Sequence, residues 1–524
     1  MFSFPNFQQI KNEVYGGAFD NNKSISCVAQ RQDGGEAIAS GGYGCVFRPA
    51  LKCQGENKPR KHMISKLLKT EYANEEMDEI NKARDLVKDI PNYEKYFAVT
   101  GYDMCVPAKM TDEDKKHFSS ECRSPLGTSF SEINESQVSR SKFRIISSPD
   151  LGLDVSKSIS KMFDGEYSRI SILKALVKLN NTSTDLLKNA ITKMAKLGFY
   201  HSDIKPQNIL TDFNKDDITQ SFNYMKVIDF GLALPKNAEY YDVNTHVLFN
   251  YPFSSFMFSR SIIDSIDRKI ERAQHQRGHF SDNVLKNIGI FVNDIIANND
   301  GHIPYMKHTG SKAYGYHEDY YVSSILKPLM TNYCAQAILT HLKTNKDKLG
   351  SSKVFDIEKY WNNVYRYNLD VWGLLFMYFQ IAANAKEKYP NIADDYLAIV
   401  EKYLYTADYA GKVIPVSKVV ADINKITKKY IKELPKPIKP KAQTKKIVLL
   451  KPVKHDTRKK LVVVSKLGVK SRIKSNVKSN TVLKGNSTIK KNVSVKKNTI
   501  TLVGKRCPKG YRRHKTMKNK CVKN

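Results

Sequence analysis

The sequence predicts an α+β protein whose strands lie early in the chain and whose helices fill the rest. Two observations carry this reading. Two stretches of strand length, Ile38–Phe47 and His62–Leu68, alternate or run apolar. From Ile172 onward the longer segments, Thr184–Leu197 and Val371–Ala383 among them, read as helices. A third observation sets where the folded part ends. The formal net charge is +34, and residues 431–524 hold 30 Lys and Arg against 2 acids, which leaves +6 for residues 1–430. The basic character belongs to an appendage, and 524 residues leave room for two or three domain-sized pieces.

Residues 1–36 are polar and Gly/Asn-rich with no sustained period, and form an N-terminal extension. Ile38-Ala39-Ser40-Gly41-Gly42-Tyr43-Gly44-Cys45-Val46-Phe47 reads as two strands joined by a tight turn. His62–Leu68 is the next strand, with Lys66 emerging from an apolar run. Glu71–Val87 has helical composition, with Ile80, Ala83 and Val87 on one face. Ile172–Leu179 and Thr184–Leu197 read as helices. Further helices are expected at Ser261–Arg272 and Val284–Ala297.

Val371–Ala383 is the longest apolar run, contains Gln380 and is too short to cross a bilayer, so it reads as a buried helix. Met1-Phe2-Ser3-Phe4-Pro5 lacks the basic start and apolar core of a signal peptide. Neither secretion nor membrane insertion is expected. The eight cysteines form no Cys-x-x-Cys pair, which argues against structural zinc. Most are expected to be reduced thiols of an intracellular protein.

The chemistry-bearing stretch is Tyr200-His201-Ser202-Asp203-Ile204-Lys205-Pro206-Gln207-Asn208-Ile209-Leu210, followed by Val227-Ile228-Asp229-Phe230-Gly231. This spacing resembles the catalytic and metal-binding loops of eukaryotic-type protein kinases, and Lys205-Pro206 is the serine/threonine form. The resemblance implies a bilobal fold, with a small antiparallel β lobe (37–147) and a large, mainly helical lobe (148–430). It implies ATP and Mg²⁺ as cofactors and protein Ser/Thr as substrate. Asp203 would accept the substrate hydroxyl proton and Lys205 would reach the γ-phosphate. Asn208 and Asp229 would hold magnesium. His201 would pack the loop against Asp229 and Phe230. Ala39, Gly41, Gly44 and Val46 match the phosphate-covering hairpin, although Ala39 replaces its first glycine. Lys66 matches the lysine that holds the α- and β-phosphates, with Ser65 unusual before it. Glu79 is the choice for the acid that pairs with Lys66, with Glu75 and Glu76 as alternatives. Asp370, in Asn368-Leu369-Asp370-Val371-Trp372-Gly373, would bond back to the catalytic loop. Phe143–Gly152 resembles the last strand of the small lobe running into the hinge. Against the family's lengths, residues 101–140 and about 256–350 are expected as insertions.

Two departures stand out. Ser202 replaces the arginine that precedes the catalytic Asp, so activity is not expected to require activation-loop phosphorylation. Tyr251-Pro252-Phe253-Ser254-Ser255 stands where Ala-Pro-Glu belongs and lacks its glutamate. Aminoglycoside and choline kinases share part of the loop, which keeps a small-molecule phosphotransferase as an alternative. A catalytically idle kinase-like virion or nucleic-acid-binding protein is the other.

Residues 431–505 form a basic low-complexity tail, expected to be disordered, with four six-residue copies from Lys478 to Thr501. Such a tail would attract nucleic acid or another polyanion. Residues 506–524 set Cys507 and Cys521 around a basic loop and resemble short C-terminal segments in proteins of large cytoplasmic DNA viruses. Ser40–Leu51, Ser65-Lys66-Leu67 and Tyr251–Ser255 are similar to the divergent kinases of those viruses. The likeness implies host cytoplasm or virion as location, and a Cys507–Cys521 bridge or two free thiols.

Overall fold

The computed structural model describes residues 35–56, 60, 62–235, 237–242, 248–297, 303–345 and 352–435, together with the backbone of 499–501, 511–513 and 520–523. Contacts divide the chain into two units, Met1–Lys439 and Pro440–Asn524. The extension before Gly35, the tail from 436 to 498 and Cys507 lie outside the described residues.

The glycine-centred alternation becomes a hairpin of β1 (Glu36–Gly41) and β2 (Gly44–Arg48), paired through Gly41 and Gly44. With β3 (Met63–Lys69), β4 (Asp103–Cys105) and β5 (Phe143–Pro149) it forms a five-stranded antiparallel sheet in the order β1-β2-β3-β5-β4. Gly44 is required by packing, since a Cβ there would lie 2.4 Å from the Leu67 carbonyl oxygen on β3. Period-two alternation sends Cys45, Phe47, Leu67 and Ile145 to one face. Leu68 and Ile146 go to the other, where they meet Ala73 of helix α1 (Thr70–Val87).

The stretch expected as an insertion at 101–140 carries β4 and four short helices, Phe118–Glu121, Arg123–Leu126, Phe130–Asn134 and Gln137–Ser141. Ser129 and Glu132 close a capping box on the third. Met110, Phe118, Leu126 and Ile133 cover the outer sheet face and share one apolar cluster with Phe47 and Ile145.

This segment also corrects the cysteine assignment. Cys45 is bonded to Cys122 and Cys53 to Cys105, with Cα separations of 5.2 and 5.7 Å. Among the described residues only Cys334 is a free thiol, and it is buried. The pairs join positions 77 and 52 residues apart. They depend on how the insertion folds back over the sheet, so sequence spacing does not reveal them.

Beyond the sheet the unit is helical. Helix α2 (Val155–Asp164) is followed by α3 (Arg169–Leu186), which continues through a π turn at Leu187–Ile191 into α4 (Thr192–Leu197). The two helices expected between Ile172 and Leu197 are thus one run. A small sheet of β6 (Leu153–Asp154), β7 (Ile209–Thr211) and β8 (Lys226–Val227) carries the loops that follow. The expected insertion at about 256–350 contains α5 (Arg260–His275), α6 (Phe280–Ala297), α7 (Ile303–Tyr314), α8 (Lys327–Thr340) and β9 (Leu342–Asn345), whose hairpin partner β10 (Ser352–Phe355) follows just beyond it.

Helix α9 (Arg366–Ala385) is buried continuously from Asn368 to Ala383, as its apolar run requires. Helices α10 (Pro390–Tyr403) and α11 (Val416–Glu433) close the unit, α11 crossing the boundary drawn at 430. In the second unit β11 (Thr499–Thr501), β12 (Tyr511–Arg513) and β13 (Lys520–Lys523) form an antiparallel sheet in the order β11-β13-β12. The β-branched Thr-Ile-Thr closing the last six-residue copy is therefore paired, within a stretch expected to carry no regular structure. Among the described residues no helix is long and apolar enough to cross a membrane.

Candidate active site

A left-handed backbone residue shapes each of two loops, Ser202 (φ 63°) after α4 and Asp229 (φ 65°) after β8. Non-glycine residues keep that conformation where neighbours hold it. At Ser202 the hold is Asp370, in the first half of α9. Its carboxylate accepts from the backbone N–H of His201 (2.8 Å) and of Ser202 (2.9 Å). Burial pushes the Asp370 carboxyl up to about 7, against the lowering effect of those two amides. Gly373 lets α9 lie directly on the loop, since a Cβ would sit 2.0 Å from the Ile204 carbonyl oxygen. Ser202 Oγ is buried with no hydrogen-bond partner.

Asp203 is the centre of the loop, 5% exposed. Its Oδ2 accepts from Lys205 Nζ (2.8 Å) and Asn208 Nδ2 (2.8 Å), and its Oδ1 from Asn250 Nδ2 (3.0 Å). Burial raises its pKa, opposed chiefly by Lys205, while Asp229 adds to the rise. The carboxylate is thus fixed in rotation, with one lone pair of Oδ1 remaining for an incoming donor.

His201 joins this loop to the next. Its Nε2 donates to the Ile228 carbonyl (3.1 Å), its Nδ1 accepts from the Asp203 N–H (3.2 Å), and its ring centroid lies 4.7 Å from that of Phe230. Burial lowers its pKa to about 4, so the ring is neutral at pH 7 and acts as a fixed tie. Ile228 also donates its N–H to the Asn208 carbonyl (3.0 Å). The exposed Asp229 follows directly, close enough to His201 and Asp203 to act on both electrostatically.

Asn208 spends its amide nitrogen on Asp203, which leaves its Oδ1 for a ligand. That oxygen and the Asp229 carboxylate are hard donors of the kind magnesium accepts. Among the described residues no group of three or more His, Cys, Asp or Glu side chains forms a metal cluster. A cation held by Asn208 and Asp229 would therefore complete its shell with water or phosphate oxygens, which suits magnesium.

Across from this loop, Lys66 pairs with β2 at Val46 and reaches Glu76 of α1, its Nζ 2.6 Å from Oε2. Glu76, one of the two alternatives, is the partner, and Glu79 is not. Glu79 lies one turn further along α1, where burial raises its pKa and both Glu76 and Asp229 add to the rise. That coupling brings α1 to the neighbourhood of Asp229. Ala39 sits opposite Val46, just beyond a bulge in β1. A Cβ on Gly42 would meet open space and one on Gly41 only an ordinary contact with the Gly44 carbonyl (3.8 Å), so packing makes no demand for glycine at either.

Sequence reasoning missed Asn250. It is 1% exposed, donates to Asp203 and, at 3.3 Å, to the Ile204 carbonyl, and its Oδ1 has no partner. The following segment Tyr251–Phe258 is buried and pinned without the missing glutamate. Trp372 Nε1 donates to the Phe249 carbonyl (3.3 Å), Phe253 stacks edge-on against Trp372, and Ser254 shares a hydrogen bond with the Tyr360 hydroxyl (2.8 Å). Position immediately before Tyr251-Pro252 was the available signal.

Searches against protein-family models and curated proteins find no match to this chain.

Proposed function

We propose that this chain is a serine/threonine protein kinase that transfers the γ-phosphate of ATP to protein hydroxyls. The single observation that carries the reading is the Asp203 carboxylate, held by Lys205, Asn208 and Asn250 with one oxygen lone pair left for an acceptor hydroxyl. Bound between Asn208 and Asp229, magnesium would neutralise phosphate charge. Lys66, oriented by Glu76, supplies a cation for the α- and β-phosphates. The substrate hydroxyl donates to Asp203, and its proton passes there as the oxygen attacks the γ-phosphorus in line, the bond to the bridging β-phosphate oxygen breaks and ADP leaves. Lys205, already on Asp203, offsets the charge developing on the transferred group. The glycine-rich hairpin covers the phosphates through backbone N–H groups.

The resemblance to kinases of large cytoplasmic DNA viruses supports a viral origin and a place in the virion or host cytoplasm. The two disulfides favour the particle, since reducing cytosol disfavours such bonds. The basic tail would supply a nucleic-acid or polyanion contact.

The test is incubation of the purified full chain with labelled ATP, magnesium and a basic protein substrate. Phosphoserine or phosphothreonine is expected, and Asp203→Ala should lower the rate by about a hundredfold or more. Equal rates for the two proteins would remove the reading.

A further inference from the structure

The outer face of the sheet holds a second arrangement that phosphoryl transfer does not require. Cys45 follows Gly44 directly at the turn of the glycine-rich hairpin, and its ladder partner is Leu67, the neighbour of Lys66. Its side chain points away from the face that Val46 shares with Lys66, into the apolar cluster under the 107–142 segment. There it is bonded to Cys122, between two short helices. The second bridge ties the chain leaving β2, at Cys53, to Cys105 at the end of β4. Beside the bridge, hairpin and segment are joined by packing of Phe47 against Phe118, ring centroids 6.3 Å apart, and by hydrogen bonds from the Ala37 N–H to the Lys116 carbonyl (3.2 Å) and the Gly35 N–H to Asp114 Oδ1 (2.6 Å). At the tip, a Cβ on Gly42 would meet nothing within 4 Å, and Tyr43 stacks on Tyr72 of α1 with ring centroids 4.5 Å apart, so the bridge at Cys45 holds the hairpin's other face.

We propose that the Cys45–Cys122 bond is a redox control on nucleotide binding, with Cys53–Cys105 as the gate to it; this rests on the site reading above. Oxidised, the hairpin is held against a covered sheet and its phosphate-facing amides are preorganised. Reduced, it regains freedom, and ATP binding must supply the ordering.

The reductant is a dithiol. One of its thiolates attacks a sulfur of the bridge, forming a mixed disulfide and releasing the other cysteine sulfur as a thiolate, which takes a proton. The second thiol of the reductant resolves the mixed disulfide. Two electrons and two protons reach the cysteine pair, and the reductant leaves as a disulfide. Cys45 and Cys122 are both fully buried, whereas Cys105 is partly exposed. Exchange therefore starts at Cys53–Cys105 and reaches the inner bridge once the segment loosens.

The experiment follows the full chain through a dithiothreitol titration. Alkylation and peptide mapping read each cysteine, a fluorescent ATP analogue reads affinity, and hydrogen exchange reads residues 36–48. Cys53 and Cys105 should become alkylatable before Cys45 and Cys122. Affinity should fall by about tenfold as the second pair opens and recover on reoxidation. Cys122→Ala should bind at the reduced level throughout, and Cys53→Ser should bind at the oxidised level while its inner bridge reduces faster. Equal affinity in the fully reduced and oxidised wild type, or alkylation of all four cysteines before any dithiol is added, overturns the proposal. If neither state binds nucleotide, exchange at 36–48 separates the two claims. Faster exchange on reduction keeps the bridge-to-hairpin coupling and removes the ATP site, whereas unchanged exchange overturns the coupling itself.

Discussion

The choice between Glu76 and Glu79 shows what one residue's helical phase decides. Positions three apart share a face of α1, so spacing alone does not separate them, yet Glu76 reaches Lys66 while Glu79 stays exposed near Asp229. Glu76→Gln should lower kcat/KM for ATP by about tenfold or more, the weight of one charge-assisted hydrogen bond, while Glu79→Gln should change it far less. Equal losses would undo the assignment.

His201 gives a pH-dependent prediction. Its folded pKa of about 4 lies below the ordinary 6.5, so the unfolded chain binds the extra proton and stability falls as pH drops through that window. Asp370, raised to about 7, has the opposite slope over part of the same range. Comparison with His201→Asn isolates the histidine. The stability gap between the two proteins in urea titrations should narrow by about 2 kcal/mol between pH 8 and pH 5. A constant gap would mean the ring is not held neutral. Asn250 was not legible in the sequence, because a polar residue beside Tyr-Pro reads as a loop until α9 is seen to bury it.

At the scale of elements, legibility followed periodicity. The hairpin, α1, the helical run before the loop and α9 could be read because their apolar spacing is set locally. The cysteine pairs and the lid of short helices over the sheet could not, because they arise when residues far apart in the chain meet. Helix α9 is the element on which the site depends most, carrying Asp370, Trp372 and Gly373 within one turn. Gly373→Ala forces a methyl onto the Ile204 carbonyl and should cost about 1–3 kcal/mol by calorimetry or denaturant titration. The loop must shift to admit it, so phosphotransfer should fall as well. A variant with unchanged melting and rate would show that α9 does not press on the loop.

For the whole molecule, charge and chemistry are assigned to different parts of the chain. The α+β unit carries every candidate site residue, and the cationic stretch follows it. A protein ended at Pro435 should keep its phosphotransfer rate on a small peptide. It should also lose retention on a DNA or RNA column in low salt, and the full chain's retention should fall steeply as salt rises. Equal retention of the two proteins would assign the polyanion contact to the folded unit. The tail's composition was legible from its lysines, while the pairing of Thr499–Thr501 with Lys520–Val522 was not, since it depends on a partner strand twenty residues downstream.

Asp370 grips both amides at the left-handed turn, and Ser202 offers no cation for a phosphate to recruit. On the kinase proposal, the loop would be armed as soon as the chain folds. An enzyme without that safety catch would have to be restrained by timing, by the company it keeps or by the chemical state of its surroundings. A kinase assay on protein made in a host lacking other kinases should find it active from its first minutes.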